Sequence, residues 1–388
     1  MKKQALNQAK DFRLFFEDEL STVKKQFQSL EKTQRQAIQQ NAKQLNQRFA
    51  QLSLLLKKPK TFSKADEMLF SFEELPTFGK EYWFLNFAST DKNSMQQLVL
   101  TIGRSSGEVK VNKKPVVETG AANQKDCMNV GWHYAKKKTV FANKVQKTTA
   151  KMSKSKPCSL SSNSKDFAFA LTGAYPSYEI RCKKKGKTVF QAKMKKPANE
   201  PLPVEFASFF KGAFGFQLVN LYFNFQGKLD GKPFKGKCYL QKVVAVGPLV
   251  PWRWARIVFQ NNSVMEFFKM TTPTPEFMPK GALISWYSFQ PPGEKRQMHA
   301  GKIQIQKTPT KGKTRWIAKS SDGKAFLEAS NYSKHNFAFE SKTTGRFVYE
   351  EHFAKINDFY YKGKNKTHTL KTTGSGQSLF EDAYGFLL

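Results

Sequence analysis

Acidic side chains, cysteine and long apolar runs are scarce in this chain of 388 residues. The four cysteines, Cys127, Cys158, Cys182 and Cys238, stand far apart, with no Cys-x-x-Cys and no paired histidine spacing. That pattern speaks against a disulfide framework and against a zinc site, so neither metal nor cofactor is expected. No apolar run reaches the roughly 18 residues that a spanning helix needs. Met1-Lys2-Lys3-Gln4-Ala5-Leu6-Asn7 lacks the apolar stretch of a secretory signal, so the expected location is the cytoplasm, with membrane association left open. Also missing are the phosphate-cradling Gly-x-x-x-x-Gly-Lys-[Ser/Thr], the Gly-x-Ser-x-Gly elbow and the His-Glu-x-x-His zinc pattern. The histidines are scattered. In Glu350-Glu351-His352 the adjacent carboxylate would face away from the ring on a strand, which argues against a dyad there.

Basic residues are plentiful: 65 Lys+Arg against 30 Asp+Glu, a formal charge of +35. With 39% hydrophobic residues and 36 Phe, the chain has enough apolar matter for a sizeable core and is no disordered polyelectrolyte. Residues 101–200 alone hold 22 Lys+Arg against 6 Asp+Glu, with the runs Lys136-Lys137-Lys138 and Lys183-Lys184-Lys185. Such a segment suits an anionic surface, either membrane or nucleic acid. A lysine-rich proteome would give the same count. Arginine, on which base readout leans, is sparse.

From about Lys10 to Leu56 apolar residues recur at steps of three and four: Phe16, Leu20, Val23, Phe27 and Leu30, then Ala37, Leu45, Phe49, Leu52 and Leu56. This predicts one amphipathic helix within residues 1–60, ~70 Å long at the usual rise. Such a helix cannot bury its stripe alone, so self-association or docking is expected. Beyond Lys60 the period changes to that of strands. Glu81 to Phe87, Gln97 to Ile102, Leu221 to Phe225, Ile303 to Gln306 and Arg346 to Glu350 are rich in aromatic and β-branched residues. Turn signals separate them at Asp91-Lys92-Asn93, Asp230-Gly231, Asn261-Asn262-Ser263 and Asp322-Gly323. Arg256 to Gln260, Asn261-Asn262-Ser263, then Val264 to Phe268 reads as a β-hairpin. Three prolines between Lys195 and Pro203 suggest a linker, giving one β-barrel over 61–200 and a second over 201–388.

Phe234-Lys235-Gly236-Lys237-Cys238-Tyr239-Leu240-Gln241-Lys242, followed by Pro251-Trp252-Arg253-Trp254-Ala255-Arg256, resembles the central motif of the carotenoid 1,2-hydratase (hydroxyneurosporene synthase) and AttH-like family. Glu81-Tyr82-Trp83-Phe84-Leu85-Asn86 is similar to that family's aromatic first-domain strand, and Glu381-Asp382-Ala383-Tyr384-Gly385 to its closing strand. The resemblance implies two lipocalin-like antiparallel β-barrels behind the N-terminal helix, and an isoprenoid or other lipid as ligand. Its hydratases imply a Tyr-x-Asp acid; here Tyr239 matches but Gln241 stands in the acidic position and cannot supply a carboxylic proton. The family's His-x-Trp has no counterpart, Trp132-His133 being reversed. Glu266, Glu381 or Asp382 could replace the missing acid.

Three functions follow. In the first, an apolar small molecule or lipid sits in a barrel cavity lined by Trp83, Tyr239, Trp252, Trp254, Trp286 and Tyr287. Trp252 and Trp254, two apart on a strand, would then face the cavity and Arg253 the outside. In the second, a hydratase or isomerase works on an isoprenoid-like substrate with Tyr239, Gln241 and Glu266 as its catalytic set. In the third, the basic segment binds nucleic acid or an anionic membrane and the barrels are scaffold.

Overall fold

In the computed structural model, residues 63 to 387 are described except for 73–74, 76–77, 92–93, 107–108, 117–123, 136–137, 142–145, 156, 198–203, 210–213, 248, 272–281, 311–312 and 342–344. Gln36 is also described, as helical; the rest of the helix expected over Lys10 to Leu56, and any self-association through it, lies outside the described residues. What is described is mainly β, in two large sheets, as the alternating segments predict.

In chain order come helix α1 (Ser63–Leu69), then β1 (Gly79–Ser89), β2 (Gln97–Ser105), β3 (Val109–Val111), β4 (Lys114–Val116), β5 (Gln124–Ala135) and β6 (Lys138–Phe141). They are followed by β7 (Gln146–Ser153), β8 (Cys158–Asn163), β9 (Phe167–Ala174), β10 (Ser177–Lys184), β11 (Lys187–Lys195), β12 (Val204–Phe209), β13 (Phe214–Leu229) and β14 (Lys232–Val246). The first sheet has the order β11-β10-β9-β8-β7-β5-β2-β1-β14-β13-β12, and β11 also pairs with β13, so its strands close into a barrel. Gly227 sits in that closing seam opposite Ala192, where a Cβ would lie 2.0 Å from the Gln191 carbonyl. Asp230 and Gly231 both take positive φ in the β13–β14 turn, which is what an Asp-Gly hairpin demands.

The barrel closes across the Lys195-to-Pro203 run. The prolines interrupt a strand but do not end the domain: Phe190 to Lys195 pair with Leu229 to Asn224 beyond them. The boundary expected at 200/201 therefore falls within one sheet, and the two compact units divide near residue 248, with residues 339–343 grouped with the first.

The interior of the first barrel is filled. Phe87, Phe190, Phe225 and Phe234 meet in edge-on and tilted contacts of 4.8–5.9 Å from four different strands. One end is stoppered by α1 and the residues after it, whose Met68, Leu69 and Phe70 join the core. Trp83 donates its indole N–H to the Leu69 carbonyl at 2.8 Å, and Lys242 donates to the carbonyls of Met68 and Ser71 at 2.6 Å each.

The second sheet contains β15 (Trp252–Phe259), β16 (Val264–Thr271), β17 (Ala282–Gln290), β18 (Gln297–Ala300), β19 (Ile303–Thr310), β20 (Lys313–Ser320), β21 (Ala325–Ser341), β22 (Gly345–Lys362), β23 (Thr367–Thr369), the four-residue helix α2 (Leu370–Thr373) and β24 (Gly376–Leu387). Its order is β18-β17-β16-β15-β24-β22-β21-β20-β19, with β23 on β22. The two ends of that order, β18 and β19, are consecutive in the chain, so one bent stretch pairs with β17 and then with β20. Ser285 holds the bend: its Oγ donates to the Gly301 carbonyl at 2.7 Å and accepts from Ile303 N–H at 3.1 Å. The hairpin expected at Asn261-Asn262-Ser263 is β15–β16. This interior too is packed, with Phe259 against Phe359 at 4.4 Å, Phe289 against Tyr361 at 4.6 Å and Trp316 stacked on Phe380 at 4.7 Å.

Candidate functional site: the outer face of the second sheet

Along β15 the core takes Ala255, Ile257 and Phe259. Alternation sends Arg253 to that same inner side and puts Trp252, Trp254 and Arg256 on the outer one. The two tryptophans do share a face, as their spacing predicts, but the sides are exchanged: Arg253 is the inward residue, with its Nε 2.9 Å from Asp382 and its Nη1 2.8 Å from the Ile305 carbonyl.

Strand register assembles the outer face into rows. Glu351 of β22, Glu381 of β24, Trp254 of β15, Phe268 of β16 and Trp286 of β17 stand directly opposite one another across five strands. All five are buried. Trp254 lies 4.8 Å from Phe268 and 6.1 Å from Trp286, and Phe268 lies 5.6 Å from Trp286. The row on one side holds Tyr349, Trp252 and Met270, all half-buried, so the face grades from partly open to closed. The row on the other side holds Phe353, Arg256, Glu266 and Ser288.

The carboxylates of this face live in different surroundings. Glu381 has both oxygens engaged: Arg256 pairs with Oε1, and the Trp252 indole donates to Oε2 at 2.9 Å. Arg256 also lies over the Trp254 ring at 4.4 Å. Glu266 is held by Arg296 at 3.0 Å and by the Ser288 hydroxyl at 3.3 Å, both on Oε2. Glu351 is fully buried. Burial pushes its carboxyl up to about 7, against the smaller opposing pulls of Tyr349 and Arg256. Near neutral pH it can hold a proton.

The other predicted residues lie elsewhere. Trp83 is inside the first barrel, 5.0 Å below the Lys242 ammonium. Tyr287 is in the core of the second sheet, donating to Asp322 at 2.8 Å and stacked on His299 at 4.7 Å. Tyr239 and Gln241 are on the outer face of the first sheet, where they form a closed trio with Asn220. Asn220 Oδ1 accepts from Tyr239 Oη at 2.8 Å and from Gln241 Nε2 at 2.9 Å, while Gln241 Nε2 also approaches Tyr239 Oη at 2.8 Å. Asn220, the third member, escaped the sequence reading, although its alternation with Tyr222 was visible. Phe84 and Tyr222 flank the trio, with ring centroids 6.4 and 5.0 Å from Tyr239. This set offers hydrogen bonds and no carboxyl.

Besides Asn220, Glu351 and the Glu350–His352 pair escaped the sequence reading. Glu351 was considered only as a neighbour of His352. The true partner of that ring is Glu350, two residues earlier and so on the same face, with Oε2 3.1 Å from His352 Nε2. Glu350 also takes Lys307 and Lys334, the latter at 2.7 Å, and Lys307 reaches Asp382 at 2.9 Å. Burial holds His352 down at about 4, so the ring is neutral near pH 7 and donates its Nε2 proton to Glu350.

No protein-family model matches this chain, and no curated protein matches it. Solved structures do. CghA, with Sch210972 bound, covers 78% of this chain and 88% of its own at 6% identity, with a TM-score of 0.46. Kievitone hydratase from Nectria haematococca covers 79% and 89% at 10% identity and a TM-score of 0.38. A candidate AttH from Nitrosomonas europaea covers 79% and 92% at 9% identity and a TM-score of 0.36.

Proposed function

We propose that the chain binds an apolar, isoprenoid-like molecule against the Trp254–Phe268–Trp286 row and adds or moves a proton on it. The observation that carries this reading is the placement of a buried Glu351, its carboxyl pushed up to about 7 by that burial, in the same row as those rings. Hydrating an unactivated alkene needs an acid that stays protonated in an apolar setting, and a carboxyl raised by burial is one. Glu351 would deliver its proton to one alkene carbon. The carbocation formed would lie against aromatic faces and the negative charge of Glu381, both of which stabilise it. Water would then add to the cation and return a proton to the Glu351 carboxylate, leaving an alcohol and the enzyme unchanged. Loss of a proton from the neighbouring carbon instead would give an isomerised alkene.

A cavity inside either barrel is the weaker form of the lipid-binding reading, because aromatic side chains from opposing strands meet in both interiors. The test is incubation with squalene or geranylgeraniol in heavy-oxygen water and, separately, in deuterium oxide, read by mass spectrometry. Hydration gives a product carrying the heavy oxygen; isomerisation gives deuterium without it; both should vanish in Glu351→Gln. Recovery of unchanged alkene bound to the protein would reduce the reading to binding alone.

A further inference from the structure

We propose that the outer wall of the first barrel over β10, β11, β13 and β14 is a docking surface for an anionic phospholipid membrane. Register and alternation place Arg181 and Lys183 of β10, Lys193 and Lys195 of β11, Lys228 of β13 and Lys235 of β14 together on this wall, all exposed, with Lys187 and Lys232 exposed at the hairpin ends of β11 and β14. The wall ends at two adjacent hairpin tips, tied by a hydrogen bond from Asp230 N–H to the Val189 carbonyl at 2.8 Å. Those tips add Lys184 and Lys185. Among the described residues of these strands the exposed carboxylate is Glu179, 3.8 Å from a Lys193 side chain that is 81% exposed, and the hairpin tip adds Asp230.

A lysine-rich composition alone would spread such charge evenly. In the second unit four arginines are matched: Arg253 with Asp382, Arg256 with Glu381, Arg296 with Glu266 and Arg315 with Glu328. The second sheet also exposes lysines, Lys313, Lys319 and Lys355 among them, but the closing seam of the first barrel gathers its cations on four adjacent strands.

The shape and chemistry of this wall select the partner. Its cations stand ~7 Å apart along each strand and ~5 Å apart between strands, on a convex, rigid surface. A plane of lipid headgroups can meet all of them. Nucleic-acid readers present an element that enters a groove, or aromatic rings on which bases stack, and this wall has neither. The outward positions between the cations are Ser177, Thr188, Gln191, Asn224, Gln226 and Pro233. No apolar wedge is available, so docking is electrostatic, shallow and reversed by salt. The inference is independent of the chemistry proposed for Glu351.

The test is co-sedimentation of the full chain with phosphatidylcholine vesicles with and without about 30% phosphatidylserine, at about 0.05 M and about 0.3 M salt. We expect binding only to the anionic vesicles, falling at least ~10-fold at the higher salt. Reversing Lys183, Lys195 and Lys228 to Glu should abolish it, with the circular dichroism spectrum unchanged. Neutralising the same three to Gln should weaken it. Reversing Lys313, Lys319 and Lys355 of the second sheet should leave most of it. Equal binding to both vesicle types, equal loss in the two reversal variants, or tighter retention on duplex DNA than on anionic vesicles would each overturn the proposal.

Discussion

Each sheet carries a cluster of charge on its inner side, and the two clusters are built to opposite specifications. In the first, Glu81 sits between Arg104 and Lys242 at 2.6 and 3.0 Å, with all three side chains sealed from solvent and α1 folded over them. In the second, Arg253, Lys307 and Lys334 remain 21–40% exposed around Glu350 and Asp382, and His352 sits neutral beneath them. The sealed cluster shares one carboxylate between two cations and gives nothing to solvent; it fastens a plug. An open cluster keeps long cations in contact with water and costs less to break.

Removing one carboxylate from each cluster breaks the comparison most sharply. Glu81→Ala leaves two buried cations that had shared it, and should cost ~3–5 kcal/mol in urea unfolding. Asp382→Ala strands only partly exposed cations, which can turn to water, and should cost ~1 kcal/mol. Equal losses would mean that the second cluster is as sealed as the first.

The outer faces differ as well: the first sheet offers a neutral Tyr–Asn–Gln trio, the second a buried carboxyl whose proton affinity is raised. Glu351 is raised to about 7, while the same side chain in the unfolded chain titrates near its ordinary value. The native state therefore binds the extra proton, and stability falls as pH rises from about 4.5 through about 7. Glu351→Gln removes that loss. It should gain about 3 kcal/mol over the parent above pH 7 and little below pH 4.5, by the linkage arithmetic. A variant that is more stable yet inactive is the expected signature of a functional acid kept at a stability cost. A pH-independent difference would remove the case for a raised carboxyl.

Much of the strand pattern was legible, because alternation and Asp-Gly or Asn-rich turns are local. Which parity faces the core was not. Trp252 and Trp254 outweigh Ala255 and Ile257 in bulk, yet the smaller set points inward, since an interior crossed by Phe259, Phe289 and Trp316 has no room for more indoles. The closure of the first barrel was also hidden. Pairing of Trp83 with Lys242 joins residues far apart in sequence, and a proline-rich stretch between two strands of one sheet looks the same as a linker. The buried acid was in view as Glu350-Glu351-His352, but only the register across β24 shows that the middle residue turns toward Trp254.

That closure can be tested at one atom. Gly227→Ala pushes a methyl to within 2.0 Å of the Gln191 carbonyl, so β11 and β13 must part or shift. The expected cost is ~1–3 kcal/mol, with faster amide exchange in β11 and β13 and none of it in the second sheet. Gly236, away from the seam on β14 against β1, faces the Ala88 carbonyl at the same 2.0 Å, and its substitution should loosen that pair instead.

The smallest expected effect concerns Tyr239, which the sequence resemblance would make catalytic. Its hydroxyl is committed to Asn220 within a trio that has no carboxyl to hand it a proton. Tyr239→Phe should therefore cost about 1 kcal/mol of stability, the value of one hydrogen bond in a network whose other members still satisfy each other. Gln241 keeps its bond to Asn220 in that variant, so the loss should not spread. Alkene turnover should stay within about threefold of the parent if the chemistry belongs to Glu351 on the second sheet. A loss as deep as that of Glu351→Gln would instead assign the proton to the first sheet, and the contrast between the two outer faces would have to be drawn the other way round.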